Sequence, residues 1–199
     1  MTKSQSTILC VALCAASCTA TAPLAMTNEE IALIKNSHQT MRVLTVNSDE
    51  DSLFLRKQSM EMDVSDLGTP DYEALTQKMI TTLIQEEGVG IAGPQVGLSR
   101  RIIAVQRFDK DGEPIEIYVN PSIVETRGEL LAGPEGCLSV PQKRGEVRRW
   151  QDITIEYLDP ENGWSKTRED IKGFTAVIFQ HETDHLDGTL YTDKLVPSE

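Results

Sequence analysis

Residues 180–188 read QHETDHLDG and carry two of the three histidines in the chain. The spacing predicts a helix on which His181 and His185 lie on one face, because residues four apart are neighbours on a helix. Two imidazoles placed in this way can bind one metal ion, and Glu182 between them can hold or move a proton beside it. The segment therefore indicates a metal site suited to hydrolysis.

The residues before this motif predict how the helix is built and what precedes it. Residues 173–185 are apolar at helical spacing, with Phe174, Val177 and Ile178 on the side of His181. Upstream, β-branched and alternating segments predict strands, with Asn120-Pro121 expected to end the second of them. The predicted strands are residues 102–105, 115–119, 122–126 and 153–158.

A second helix is predicted to begin at Pro70, because Thr69 can cap it and proline suits the first helical position. Gly88 is expected to end this helix. Its predicted buried face consists of Leu75, Met79, Ile80, Leu83 and Ile84. Residues 26–37 are consistent with a short helix or a flexible lead-in, and residues 47–69 are expected to be irregular. A helix, several strands and a final helix indicate an α+β fold.

The first 25 residues have the character of a leader. Lys3 is the only charge before Glu29, and an apolar stretch over residues 8–16 is followed by small residues, as in a secretory signal. Residues 15–18 weakly match a lipoprotein cleavage site with Cys18 as the lipidated residue. We expect a leader over residues 1–25 and a single catalytic domain over residues 26–199. A cytoplasmic protein starting at Met26 and an exported or lipid-anchored one both remain open.

Composition limits the partners of this chain. The chain has 199 residues and a formal net charge of −12. An acidic surface argues against nucleic-acid binding, which needs clustered Lys and Arg against phosphates. The apolar stretch of the leader is too short to predict a membrane span.

Cys137 is the best third ligand for the metal. Fourteen residues follow His185 and none is His, so the downstream ligand of the familiar zinc proteases is missing, and Tyr191 stands where one protease group has it. Cys10, Cys14 and Cys18 lie in the leader, which leaves Cys137 as the only thiol of the body and permits no disulfide there. A thiolate and two imidazoles leave one tetrahedral position open for water.

A glycine-rich segment, residues 88–97, reads GVGIAGPQVG. It follows a helix, and no Lys comes after it, so a phosphate-binding loop is not expected. We interpret it as a connection that runs close to a ligand, with Gln95 directed into the site.

In this order the three segments resemble peptide deformylases, which carry a Gly-x-Gly-Ile/Leu-Ala-Ala-Pro-Gln loop, a Glu-Gly-Cys-Leu-Ser segment and a Gln-His-Glu-x-x-His-Leu helix. The resemblance extends from about Met41 to Leu195 and includes Arg101 and Asn120-Pro121. Gly93 departs from the family's usual alanine and is expected to loosen the loop slightly. The expected fold is therefore α+β, with antiparallel β-sheets packed around a central C-terminal helix that carries the metal motif.

The resemblance implies removal of the N-formyl group from formyl-methionyl peptides or nascent chains, with release of formate. It implies one divalent metal held by Cys137, His181 and His185, which supplies the attacking hydroxide. Fe²⁺ is the expected metal, and Ni²⁺, Co²⁺ and Zn²⁺ are alternatives, because this ligand set does not select among them.

The resemblance also implies the roles of other side chains. Glu182 would act as general base and then acid, while Gln95 and the Leu138 N–H would stabilise the oxyanion. The residues expected to bind substrate are Val89, Gly90, Arg144, Phe174, Val177 and Ile178.

Two other functions compete with this interpretation. A zinc endopeptidase built on the His181–His185 motif would cut internal peptide bonds, and a binding protein would retain the site without turnover. Ribosome docking by a long C-terminal helix, as in some bacterial relatives, is not expected for this acidic chain that ends soon after His185.

Overall fold

The computed structural model describes residues 24–197, so Cys10, Cys14, Cys18 and nearly all of the predicted leader lie outside the described residues. Four α-helices and five β-strands make up this part of the chain. The helices are α1 (Asn28–Asn36), α2 (Asp49–Leu55), α3 (Pro70–Gln85) and α4 (Gly173–Leu186). The strands are β1 (Gly90–Ala92), β2 (Ile102–Gln106), β3 (Ile115–Cys137), β4 (Val140–Asp159) and β5 (Ser165–Lys172).

The five strands form one antiparallel sheet in the order of the sequence, from β1 at one edge to β5 at the other. This agrees with the predicted α+β fold, and all four predicted strands lie within observed ones. Helix α4 contacts all five strands, which is compatible with the predicted central C-terminal helix. None of the helices from residue 24 to residue 197 is long and apolar enough to cross a lipid bilayer.

Side chains on β2 alternate between two apolar layers, as the twofold period of a strand requires. Ile102 and Ala104 face a core shared with α1 and α3, whereas Ile103 and Val105 face a core shared with α4. The sheet therefore separates α4 from α1 and α3, and each face of β2 is buried.

The prediction that Asn120-Pro121 ends a strand is wrong. Strand β3 continues to Cys137, and its register with β4 shifts between Val119 and Ser122. Asn120 has a φ of 51°, and its N–H donates to the Arg101 carbonyl oxygen at 2.7 Å. The residue therefore forms a bulge, which bends a strand without ending its pairing.

Helix α3 confirms the predicted start, but its end differs from the prediction. The Thr69 hydroxyl accepts from the Tyr72 N–H at 3.3 Å, and Pro70 is the first helical residue. The last helical residue is Gln85, and Glu87, one residue before Gly88, adopts the left-handed conformation. The Gly88 N–H donates back to the Leu83 carbonyl at 3.0 Å, which closes the helix in the Schellman pattern.

The predicted buried face of α3 is correct except near its end. Leu75, Met79 and Leu83 are fully buried, whereas Ile84 is 61% exposed and Ile80 is partly buried. Leu83 in the same turn is fully buried, so helical spacing alone overestimates the width of the buried face near the end of α3.

The prediction of an irregular segment over residues 47–69 is wrong, because it contains α2 and a short 3₁₀ helix, Val64–Asp66. Helix α2 lacks a long apolar stripe and depends on polar contacts. The Ser48 hydroxyl accepts from the Asp51 N–H, and Asp51 forms two hydrogen bonds with Arg42. Farther upstream, residues 26–37 contain helix α1, which Thr27 and Glu30 cap reciprocally.

Candidate metal centre

The structure brings the three predicted metal ligands together from two distant segments. Cys137 is the last residue of β3, and His181 and His185 lie one turn apart on α4. Their ligand atoms all lie within 4.8 Å of one another, and Cys137 Sγ is 3.1 Å from His185 Nε2. A thiolate and two imidazole nitrogens at this spacing form three corners of a tetrahedral site.

His181 is oriented by a carboxylate that sequence reasoning missed. Its Nδ1 lies 2.8 Å from Glu135 Oε2, which leaves Nε2 for a metal ion. Burial would raise the pKa of Glu135, but hydrogen bonds with His181 and Arg149 lower it to about 2. A signal for Glu135 was present in the sequence, because it lies two residues before Cys137 and strand residues at that spacing face the same side.

Arg149 completes this support and could not be predicted from local sequence. Its guanidinium donates to both Glu135 oxygens, at 2.7 and 3.0 Å, and to Asp184 Oδ2 at 2.5 Å. Arg149 is 3% exposed, so these charged groups pair away from water. Pairing of β3 with β4 and packing against α4 create the cluster, and no sequence spacing reveals it.

The electrostatics of the site suit a cation. Burial opposes a charge on His181, yet hydrogen bonds with Cys137 and Glu135 raise its pKa to about 10. The surroundings of this ring therefore favour a positive charge. Burial lowers the pKa of His185 well below its ordinary value, so this imidazole is neutral and keeps a lone pair for a ligand bond. These residues fit a borderline-soft divalent ion.

Glu182 lies beside the ligands with one oxygen free. It is 3% exposed, and its Oε2 has no hydrogen-bond partner within residues 24–197. Burial raises the pKa of Glu182 to about 7, although the neighbouring His181 opposes this shift. Strand β1 can pass this closely only because residue 90 is glycine, since a Cβ there would overlap Glu182 Oε1 and lie 2.8 Å from Ile178 Cγ2.

Gln95 is held with its amide nitrogen toward the ligands. Its Oε1 accepts from the Ala92 N–H at 2.8 Å, and its Nε2 lies 3.6 Å from Cys137 Sγ. Leu138 follows Cys137 in the two-residue turn between β3 and β4, and its N–H donates to no group in the described part of the chain. The side-chain amide of Gln95 and the N–H of Leu138 therefore both lie near the Cys137 thiol.

A cavity of about 890 Å³ opens onto this centre. It is lined by Glu182, Gln95 and Leu138, by the ligands Cys137 and His181, and by every predicted substrate-binding residue, Val89, Gly90, Arg144, Phe174, Val177 and Ile178. Phe174 is 55% exposed at the cavity wall, where it packs on Phe108 with ring centroids 5.3 Å apart. Of the predicted site residues, only His185 does not line the cavity, because its side chain is buried.

The far walls of the cavity carry charges that sequence reasoning did not assign to the site. Glu86 and Glu87, at the end of α3, line one wall. Lys143 lies beside Arg144 on β4 and also lines the cavity. All four side chains are exposed, so this end of the cavity is polar and open to water.

Gly93 does not loosen its segment, contrary to expectation. The predicted loop contains β1 and a 3₁₀ turn, Gly93–Val96, and Gly93 is buried. A Cβ at this position would lie 2.6 Å from the Arg100 carbonyl oxygen and 2.9 Å from that of Leu98. Both obstacles are backbone atoms, so the glycine permits a close approach of two chain segments behind Gln95.

Comparison with known proteins agrees with this geometry. The sequence pattern of the family described as polypeptide deformylase matches residues 41–199. The peptide deformylase of Christiangramia forsetii is 41% identical over 154 residues, which cover 71% of this chain and 76% of the relative.

Solved structures are also similar. A class I type b peptide deformylase from Acinetobacter baumannii, crystallised with Met-Ala-Ser, is 32% identical with a TM-score of 0.69 and covers 78% of this chain and 98% of its own. The peptide deformylase of Thermotoga maritima is 30% identical with a TM-score of 0.69, and the match covers 80% of this chain and 100% of that structure.

Proposed function

Since the chain belongs to the polypeptide deformylase family and removes the N-formyl group from formyl-methionyl peptides, we propose that Glu182 carries the proton in this hydrolysis beside a divalent metal ion. The observation that carries this proposal is the buried carboxylate of Glu182, which faces the cavity next to three ligand atoms within 4.8 Å of one another.

Cys137, His181 and His185 are the residues that would hold the metal. A divalent ion bound there supplies Lewis-acid activation of water near neutral pH. Fe²⁺ is the metal that we propose, with Ni²⁺, Co²⁺ or Zn²⁺ as substitutes, because the sulfur and nitrogen donors accept all four. Glu135 holds the ring of His181, and Arg149 holds Glu135, so the imidazole of His181 is oriented toward the metal position.

Glu182 takes the proton of the attacking water and later delivers it to the amine that leaves. A carboxyl with a pKa of about 7 is matched to both transfers at neutral pH, because it can exist in either state. Gly90 keeps this carboxyl in the cavity wall, since any larger residue would displace it.

The attacked formyl carbon acquires a negatively charged oxygen, which Gln95 and Leu138 are placed to stabilise. The Gln95 amide must present N–H groups to the site because its oxygen is already occupied by Ala92. The N–H of Leu138, which has no acceptor among residues 24–197, would supply a second donor beside Cys137. Donors that are oriented in advance need no rearrangement as the charge develops.

The methionine side chain would lie on the apolar part of the cavity. Phe174, Val177 and Ile178 line it from one face of α4, and Val89 faces them from the segment before β1. Strand β1 is an edge strand, so its free side could pair with the peptide main chain. A similar deformylase was crystallised with Met-Ala-Ser, which supports a methionyl peptide as the ligand of this cavity, and Arg144 would contact the peptide backbone farther out.

We also propose that residues 26–199 form one catalytic domain, to which two residues of the preceding segment are attached. The Arg100 guanidinium donates to the carbonyl oxygens of Leu24 and Ala25, the latter at 3.0 Å. A protein prepared from Met26 onward would lose both acceptors, so the full chain is the better material for assays.

Formate release from formyl-Met-Ala-Ser tests the proposal. The full chain would be purified without oxygen and loaded with Fe²⁺ or Ni²⁺. The peptide products would be identified by mass spectrometry. We expect formate and an intact Met-Ala-Ser. Cut internal bonds would instead assign a protease, and a folded, metal-loaded chain that releases no formate would be a binding protein.

A further inference from the structure

The family match begins at residue 41, yet the described chain begins 17 residues earlier, at Leu24, and the segment between is folded. Helix α1 packs on α3, with Ile34 fully buried between them. Lys78 of α3 donates to the carbonyl oxygens of Ile34 and Ser37, the latter at 2.7 Å. A cation thereby satisfies the end of α1, where carbonyl groups lack helical partners.

Arg100 fixes the beginning of this segment. Its side chain is fully buried and forms two hydrogen bonds with Glu30, at 2.8 and 2.7 Å, in addition to those with Leu24 and Ala25. Because both ends are held by charged hydrogen bonds, residues 24–40 form a fixed wall of the folded protein.

This wall forms one side of a second groove, with a volume of about 840 Å³. Leu33, Asn36 and His38 line it from the segment before the family match, and Val43 and Pro141 are among the residues that line it from the family body. Two further residues, Glu86 and Leu138, line both this groove and the substrate cavity. The groove therefore adjoins the substrate cavity at these two residues.

An unpaired stretch of main chain faces the groove. The Leu44 N–H donates to the Gln95 carbonyl at 2.8 Å, and the Val46 N–H donates to that of Ser139 at 2.9 Å. Immediately before Leu44, neither the N–H nor the C=O of Val43 has a hydrogen-bond partner among residues 24–197. An extended chain presents successive peptide groups to opposite sides, so Val43 offers a free strand edge on the side away from Gln95.

We propose that this groove binds the part of a formyl-peptide that follows its third residue, as an extended strand paired with Val43. The proposal rests on the deformylase function and extends it to longer substrates. A peptide main chain can form hydrogen bonds with the N–H and C=O of Val43. The groove is lined by both apolar and polar residues, such as Leu33, Asn36 and Pro141, so it does not select one class of peptide side chain. The groove therefore selects for length more than for sequence.

Longer peptides test this inference. The full, metal-loaded chain would be assayed with formyl-Met-Ala-Ser and with an octapeptide that continues it by five uncharged residues. We expect kcat/KM to be on the order of tenfold higher for the octapeptide, a gain of about 1.4 kcal/mol, through a lower KM at similar kcat. Equal kcat/KM for the two peptides would overturn the proposal.

A blocked groove provides the matched control. Asn36→Trp places a large side chain in the groove, whereas Ala32→Trp places the same side chain on an exposed position of α1 that does not line it. We expect Asn36→Trp to abolish the gain with the octapeptide and to leave the tripeptide rate unchanged, and Ala32→Trp to alter neither. A gain that survives Asn36→Trp would place the downstream residues elsewhere.

Binding separates this inference from the function on which it rests. The unformylated octapeptide should bind the full chain more tightly than Met-Ala-Ser, and Asn36→Trp should remove the difference, whether or not formate is produced. Failure of the octapeptide to bind better would leave the groove to another occupant, such as residues 1–23, and would overturn the proposal. Absence of formate from both peptides would refute the deformylase mechanism alone.

Discussion

The metal end of the cavity is buried and contains the paired charges of Glu135 and Arg149, whereas the charged side chains at its outer end are exposed and form no ion pairs in the described part of the chain. At the metal end Glu135, Arg149 and Glu182 are each less than one-tenth exposed. The lining residues at the outer end, Glu86, Glu87, Lys143 and Arg144, are exposed, and none of them forms an ion pair within residues 24–197.

The difference shows where the chain concentrates its chemistry. Charges act strongly on one another where water is excluded, so a small change at the metal end alters proton transfer or metal affinity. Exposed charges are screened and mobile, so changes at the outer end adjust substrate affinity by small amounts. The following predictions test this contrast, from the largest expected effect to the smallest.

The largest effect is expected at Glu182. Glu182→Ala should lower kcat by roughly 10²–10⁴, because the general base and acid is lost. Metal content should stay at one ion per chain, since the three ligand atoms are untouched. Turnover and metal analysis on the same sample check this, and a variant that keeps most of its rate would assign the proton transfer to another group.

Next comes the oxyanion donor. Gln95→Glu keeps an oxygen for the Ala92 N–H but removes the amide hydrogens, so kcat should fall by roughly 10²–10³. The thermal midpoint should change little if the fold is preserved. An unaltered kcat would mean that Leu138 and the metal stabilise the oxyanion without Gln95.

Support of His181 should matter less for rate and more for metal binding. Glu135→Gln removes the charge that Arg149 and His181 share, and metal affinity should fall by about 10–100-fold. Competition with a coloured chelator measures this. Glu129→Gln, at an exposed position of the same strand, is the control and should bind metal like the native chain.

Packing behind Gln95 can be tested through stability. Gly93→Ala should lower the free energy of unfolding by about 1–3 kcal/mol, because the new methyl meets the backbone of Leu98 and Arg100. Gly133→Ala adds the same methyl where no atom lies within 4 Å and serves as the comparison. Equal denaturant midpoints for the two variants would show that the backbone behind Gln95 shifts to accommodate the added methyl group without loss of stability.

The smallest effect is expected at the outer end. Arg144→Ala should raise KM by no more than about fivefold, equivalent to the roughly 0.2–1 kcal/mol of an exposed charged contact, and should leave kcat unchanged. Added salt should reduce the difference between native and variant chains. A large fall in kcat would place Arg144 with the buried groups and would remove the contrast between the two ends.

Local patterns in the sequence predicted the parts of this protein that depend on neighbours along the chain. The spacing of His181 and His185 indicates a metal face because a helix repeats every 3.6 residues. Thr69 and Pro70 mark the start of α3 for equally local reasons. Cys137, Gln95 and Leu138 were found because each lies in a short motif with the order of a known family.

Tertiary structure decided what depends on segments far apart in sequence. Arg149 meets Glu135 only through the pairing of β3 with β4, and the groove beside Val43 exists only because α1 packs on α3. Asn120 becomes a bulge through its contact with Arg101. Gly93 has no room for a Cβ because the backbone of Arg100 packs against it. The residues on either side of Gly93 in the sequence do not indicate this contact.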